Sequence, residues 1–203
     1  MFVFGCLAPH PPIILPKVGS ETDRAKIKKT IEALEKLGKE LAAAKPDCLL
    51  VSSPHPDWGF NVPLHFLAKN VHGIEVKTHL TDLESLKVHF ERGKKIIESL
   101  PRAKRGAWIA SGDMSHRLAK DGPYGLHPSG PKFDKEFIRL LKAKNVQEIL
   151  NMPSQLVEEA GECGLRSFCM LLGALEATKL DWQPKILSYE GPFGVGYLVA
   201  RLL

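Results

Sequence analysis

The sequence predicts an α/β domain of three layers, α/β/α, with a mainly parallel central sheet and a C-terminal antiparallel hairpin. Three observations lead there. Short, uninterrupted apolar runs alternate with amphipathic segments along the 203 residues, the pattern of strands buried on both faces and joined by helical crossovers. Three of those runs, FVFGCLA, CLLVSS and AWIASG, lead through small residues to a histidine. The last two runs are separated only by EGPFGVG, a turn too short for a helical crossover, so they pair antiparallel.

Residues 2–8 are the first strand, being short, apolar and rich in aromatic residues. PPIILPKVG is a proline-punctuated loop. SETDRAKIKKTIEALEKLGKELAAAKPD reads as one helix, because Ile27, Ile31, Leu34, Leu37 and Leu41 recur at helical spacing. Ser20 or Thr22 caps its start, and Pro46 stops it. DCLLVSS is a buried strand ending at PHPDWG, and GIEVKTHL is a further strand. LESLKVHFERGKKIIESL is a second amphipathic helix, and GAWIASG a third buried strand. KDGPYGLHPSGPK is a long polar loop. FDKEFIRLLKAK and residues 146–151 are helical, LRSFCMLLGALEATK is a buried helix, and KILSYEGPFGVGYLVARLL closes the fold as strand, turn and strand. No linker, repeat or low-complexity segment divides the chain, so residues 1–203 are expected to form one domain.

Composition narrows the function. The chain carries 28 Lys+Arg against 23 Asp+Glu, and the lysines cluster on helices as solvated faces. Without an Arg-rich run or aromatic-interleaved basic stripe, nucleic acid is not an expected partner. No segment is long and apolar enough to span a membrane. Four cysteines without a CxxC pair point to reduced thiols. With no recognisable signal peptide, a cytoplasmic location is expected.

Eight histidines occur, and His10, His55 and His116 share the strand-end context. In open α/β sheets ligands bind beyond the carboxyl ends of the strands, which makes these three candidates for one site. Prolines flank His10 and His55, stiffening the backbone that would hold a ligand. His65, His72, His79 and His89 lack that context and read as surface or helix-face residues. A further group comes from QLVEEAGECGLRSF, which supplies Glu158, Glu159, Glu162 and Cys163 just before the apolar helix. Two histidines and a carboxylate suit the facial arrangement of non-haem Fe(II) oxygenases. Zinc is the alternative, for a hydrolase. A histidine left unligated moves protons. A scaffold that binds a small molecule or protein without catalysis is the remaining class.

Taken together, APHPP, SSPHPD, SGDMSH, GLHPSGPKFD, GECGLRSF and EGPFGVGY resemble the LigB-like superfamily. That superfamily holds the catalytic subunits of class III extradiol ring-cleavage dioxygenases and the Memo-like proteins, and the likeness is to its AMMECR-associated branch. The resemblance implies a metal held by His10, His55 and Glu162, with His116 as acid–base catalyst. It implies Fe(II) as cofactor, with zinc or copper as alternatives, and a catechol-like substrate cleaved with O2. It also implies a homodimer or an AMMECR-type partner. An ungapped match of the apolar helix places the family's glutamate at Gly164, so Glu162 needs a two-residue adjustment and Glu159 is the fallback. Cys163 falls where Memo-like proteins carry a site cysteine, which opens a metal or redox role for it. The loop GPYGLHPSGP is the main lid candidate, and His127 within it is a candidate for contact with substrate. Asp57 and Asp113 are candidates for orienting the histidines or contacting substrate, with turn or cap roles as alternatives. Phe193, with Tyr189 and Gly191, lines the site or simply builds the hairpin. Arg166 faces an anionic group or forms a helix-start salt bridge.

Overall fold

A computed structural model describes residues 1–101 and 103–203. Its centre is one six-stranded mixed sheet: β1 (Phe2–Ala8), β2 (Cys48–Ser53), β3 (Glu75–Leu80), β4 (Gly106–Ser111), β5 (Lys185–Glu190) and β6 (Tyr197–Arg201). The spatial order is β3-β2-β4-β1-β6-β5. β3, β2, β4 and β1 run parallel, and β6 and β5 add an antiparallel pair beside β1. The predicted α/β architecture, parallel centre and C-terminal hairpin are all present.

Eight helices accompany the sheet among the described residues: α1 (Glu21–Lys26), α2 (Lys28–Ala43), α3 (Trp58–Leu67), α4 (Leu86–Glu98), α5 (Ser129–Lys142), α6 (Val146–Leu150), α7 (Ser154–Ala160) and α8 (Leu165–Thr178). Alternating side chains of each strand feed two cores. Phe4, Cys6, Leu49, Val51 and Ile109 pack with Leu34, Leu37 and Leu41 of α2 and Phe60 and Phe66 of α3. On the other face Leu7, Leu50 and Trp108 pack with Phe90 of α4, Phe137 of α5 and Phe168 and Leu171 of α8. The layers are therefore helix, sheet, helix.

The structure departs from the expected elements in three places. The long helix of residues 20–47 is two helices, because Ile27 leaves helical geometry at φ −122° and ψ 33° while burying its side chain completely. Ser20 caps the first of them in a reciprocal capping box with Asp23. The second ends at Ala43, and Lys45 in a left-handed conformation turns the chain before Pro46. Helix α3 lies in a stretch the sequence pattern leaves unassigned, and α7 overlaps the start of QLVEEAGECGLRSF, which reads as a loop. Pro63 inside α3 and the short span of α7 conceal the helical period. The third departure is His89, read as a surface or helix-face residue. It is fully buried in α4, where its Nδ1 donates to the Ser85 carbonyl at 3.0 Å and its Nε2 accepts the Asp82 N–H at 3.3 Å.

Candidate metal centre

The carboxyl ends of the parallel strands carry the site, and His10 shows how its side chains are fixed. His10 follows β1 and is buried. Its backbone N–H donates to Asp113 Oδ1 at 2.9 Å. Its Nδ1 lies 2.9 Å from the hydroxyl of Ser111, the last residue of β4. That hydroxyl donates its own hydrogen to the carbonyl of Gly59, so it accepts from His10 Nδ1–H. The tautomer follows: the lone pair is on Nε2. Burial, reinforced by the neighbouring His55, lowers the imidazole's pKa to about 3 and keeps it neutral, the form that ligates metals.

Gly59 is available for this because of Pro63. In α3 the carbonyl of Gly59 would accept from the N–H four residues on. Residue 63 is a proline and has no N–H. The carbonyl left over takes the Ser111 hydroxyl. Gly59 must also stay a glycine: a Cβ there would lie 1.9 Å from Ser53 Oγ and 3.1 Å from His55 Cβ. Ser53 Oγ in turn holds the chain around His55, accepting its N–H at 3.1 Å and donating to its carbonyl at 3.0 Å. His55 is exposed, and its ring meets that of His10 edge-on, with centroids 5.2 Å apart.

The third component is Cys163. Gly112, just after β4, abuts Gly164 so closely that a Cβ on Gly112 would lie 2.1 Å from Gly164 Cα. Gly164 N–H donates to the Asp113 carbonyl at 3.0 Å, and Asp113 N–H donates to Cys163 Sγ at 3.3 Å. These contacts seat the thiol 3.6 Å from His10 Nε2. Ligand atoms of His10, His55 and Cys163 all lie within 4.8 Å of one another, as do those of Asp113, His116 and Cys163. Nitrogen and sulfur sharing one tetrahedral ion sit about 3.5 Å apart, so the donor set fits a metal. Burial first, and the Asp113 carboxylate next, raise the Cys163 thiol's pKa well above its ordinary value. A bound cation would reverse that preference.

Asp113 is buried, and desolvation raises its pKa to about 6, opposed by the His10 N–H and by His116 and His55. Burial lowers the pKa of His116, opposed by Asp113. The Nε2 of His116 is buried and makes no hydrogen bond among the described residues. The Tyr124 ring, from the predicted lid loop, lies 5.0 Å from the His116 ring, and a bridge between Leu118 and Leu126 closes that loop on itself.

The other candidates fall outside both clusters. Glu162 turns toward α8 and accepts the Leu165 N–H, so the carboxylate beside the thiol is Asp113. The reason is local: Glu162 sits three residues before Leu165, where a carboxylate satisfies a free helix N–H. Desolvation raises its pKa to about 7. The fallback Glu159 accepts from Ser129 Oγ at 2.6 Å and from Gln155 Nε2 at 2.9 Å. His127 faces that pair: its Nδ1 accepts the Ser129 N–H at 3.3 Å and lies 3.9 Å from Glu159. Asp57 is exposed at the start of α3, and its side chain makes no cap hydrogen bond. Phe193 packs against the α2–α3 core beneath Lys26 Nζ, which is 5.6 Å from its ring centroid. Sequence reasoning missed Ser111, Gly59, Pro63 and Tyr124. Of these, Ser111, in the SGD after the third buried run, and Tyr124, in the lid candidate GPYGLHPSGP, sat within motifs that pointed at the site.

Comparisons with known proteins bear on the family and the fold. A family model described as the catalytic LigB subunit of aromatic ring-opening dioxygenase matches residues 51–200. Protein CA_C1420 of Clostridium acetobutylicum is 31% identical over 97% of this chain, which spans 56% of that protein. Among solved structures, the uncharacterized protein JW3007 from Escherichia coli K12 superposes with a TM-score of 0.60 at 14% identity, covering 99% of this chain and 100% of that one. At that identity the likeness is one of fold. No helix among the described residues is long and apolar enough to cross a membrane.

Proposed function

Because the chain belongs to the family of the catalytic LigB subunit of aromatic ring-opening dioxygenases, we propose that it opens a catechol-type ring with O2 at a metal centre held by His10, His55 and Cys163. The observation that carries this reading is the convergence of those three donors within 4.8 Å, with a neutral imidazole whose free lone pair faces the thiol. When bound, the metal, Fe(II) in this reading, supplies the route for electrons between substrate and dioxygen. The chain's own residues do the rest. His116 is half-buried, with an Nε2 that is itself buried and has no hydrogen-bond partner among the described residues, and it accepts a proton from a substrate hydroxyl. Asp113 stabilises the imidazolium that results. Tyr124 offers an aromatic face over His116 and, with its loop, restricts water.

The thiol favours a second reading. A donor set of two nitrogens and one sulfur is softer than two histidines and a carboxylate, and suits copper or zinc. A Memo-like metal or redox protein using Cys163 is the corresponding function.

Metal analysis of protein purified without oxygen separates the two. Iron, together with a yellow ring-opened product from simple catechols and O2, supports ring cleavage. Iron bound without colour change across a broad catechol panel refutes it. Copper retained by the native protein and lost in Cys163→Ser supports the redox reading.

A further inference from the structure

We propose that the cavity between the start of α4, the α6–α7 turn and the start of α8 binds a small carboxylate with an apolar body, anchored by Arg166 with Lys87. The cavity encloses about 320 Å³, at the lower end of the range for small-molecule sites. The metal donors do not line it. Leu86, Leu150, Met152 and Val157 form an apolar lining, and Leu150 and Met152 are each only 8% exposed.

Two cations share that lining. Arg166 is half-buried. Its Nε donates to the Glu84 carbonyl at 3.1 Å, which fixes the plane of the guanidinium. Its terminal nitrogens make no hydrogen bond or ion pair among the described residues. That is an oriented fork of donors, the geometry that takes a carboxylate in two parallel bonds. Lys87, exposed on the rim, also has no ion partner among the described residues. Exposed Glu158 is the third charge lining the cavity, so the net charge there is positive and an anion is preferred.

The loop that carries the Arg166 anchor is itself braced. Buried His89 bonds the Asp82 N–H with one ring nitrogen and the Ser85 carbonyl with the other, spanning Glu84. Asp82 also pairs with Arg92 Nη1 at 2.7 Å. Arg166 is thus pre-oriented before any ligand arrives, which lowers the entropic cost of binding. An aromatic or short aliphatic acid matches the apolar lining and the single charged end.

The test uses 3-phenylpropanoate and its uncharged amide with metal-free protein, read by methyl NMR at Met152 and by calorimetry. Metal-free protein keeps the result independent of the ring-cleavage reading. Expected are saturable shifts of the Met152 methyl, with the amide binding at least about tenfold more weakly, as loss of a charge-assisted pair requires. Arg166→Gln should weaken the acid by about tenfold or more with the amide unaffected. Lys87→Gln, on an exposed first-turn position, gives the same comparison should Arg166→Gln not fold. Equal binding of acid and amide, or binding seen by calorimetry with no shift at Met152, would overturn the proposal.

Discussion

The hydroxyl of Ser111 accepts the Nδ1–H of His10 at 2.9 Å while donating to the carbonyl of Gly59. One hydroxyl therefore sets both the tautomer and the aim of the first candidate ligand. Ser111→Ala should leave the fold intact and weaken metal affinity by roughly 10–100-fold, the usual cost of losing the partner of a metal-binding histidine. Titration of metal-free protein with zinc or iron reads this directly, and an unchanged affinity would rule out Nε2 ligation by His10.

Cys163 belongs to both donor clusters. Cys163→Ser should lower metal affinity and change the ligand-field spectrum of a cobalt-substituted form. Loss of the sulfur-to-cobalt charge-transfer band confirms ligation; a band that was never present in the parent protein argues for Asp113 as the third donor.

His116 is assigned a proton and not a metal. His116→Gln should keep metal stoichiometry and reduce ring opening by about 10²–10⁴-fold, the range of general acid–base catalysis. Loss of metal in this variant would move His116 into the ligand set.

Gly112→Ala places a Cβ against Gly164 Cα, at a separation of 2.1 Å. Backbone faces backbone, so neither side can rotate away. A loss of about 1–3 kcal/mol is expected from this overpacking, together with weaker metal binding as Cys163 is pushed off His10. Thermal melting and metal titration measured on the same sample check both.

Asp134 titrates within the fold. It is 1% exposed, and burial raises its carboxyl to about 6 from 3.8, opposed by hydrogen bonds from Tyr189 and Ser115. Folding therefore favours the protonated form. Stability from this group is complete below pH 3.8 and is lost as pH rises through about 6. The loss amounts to roughly 3 kcal/mol, at about 1.4 kcal/mol per pH unit. Asp134→Asn should flatten the stability profile over that window, as measured by denaturant unfolding at several pH values. A wild-type profile no steeper than the variant's would show that Asp134 is ionised throughout.

Much of this site could be read before folding was considered. His10, His55 and His116 each come just after a buried strand, and parallel strands deliver the residues beyond their carboxyl ends to one edge. That rule needs only local pattern. The carboxylate was harder. Glu162 and Asp113 are both acidic residues near the right elements, and choosing between them depends on which way one peptide turns. In the structure the Gly112–Gly164 contact brings Asp113 against Cys163, joining positions that composition and periodicity do not relate. Helix α3 was hidden for a similar reason: Pro63 reads as a helix breaker, and its value lies in the carbonyl it frees for Ser111. His89 looked peripheral because helical spacing does not reveal that its ring is buried to bond the Asp82 N–H and the Ser85 carbonyl.

The central place of β1 has a consequence for biosynthesis. β1 is paired by β4 on one side and by β6 on the other, so the strand that presents His10 waits for partners made much later. The donors at residues 10, 55 and 163 are contributed by three distant stretches of chain. A growing polypeptide on the ribosome holds isolated imidazoles, which grip ions weakly. The complete claw exists only after Cys163 has emerged and the sheet has closed around β1. Under the proposed reading, a metal would therefore be captured only once residues 10, 55 and 163 have come together, and ions met earlier in translation are free to leave.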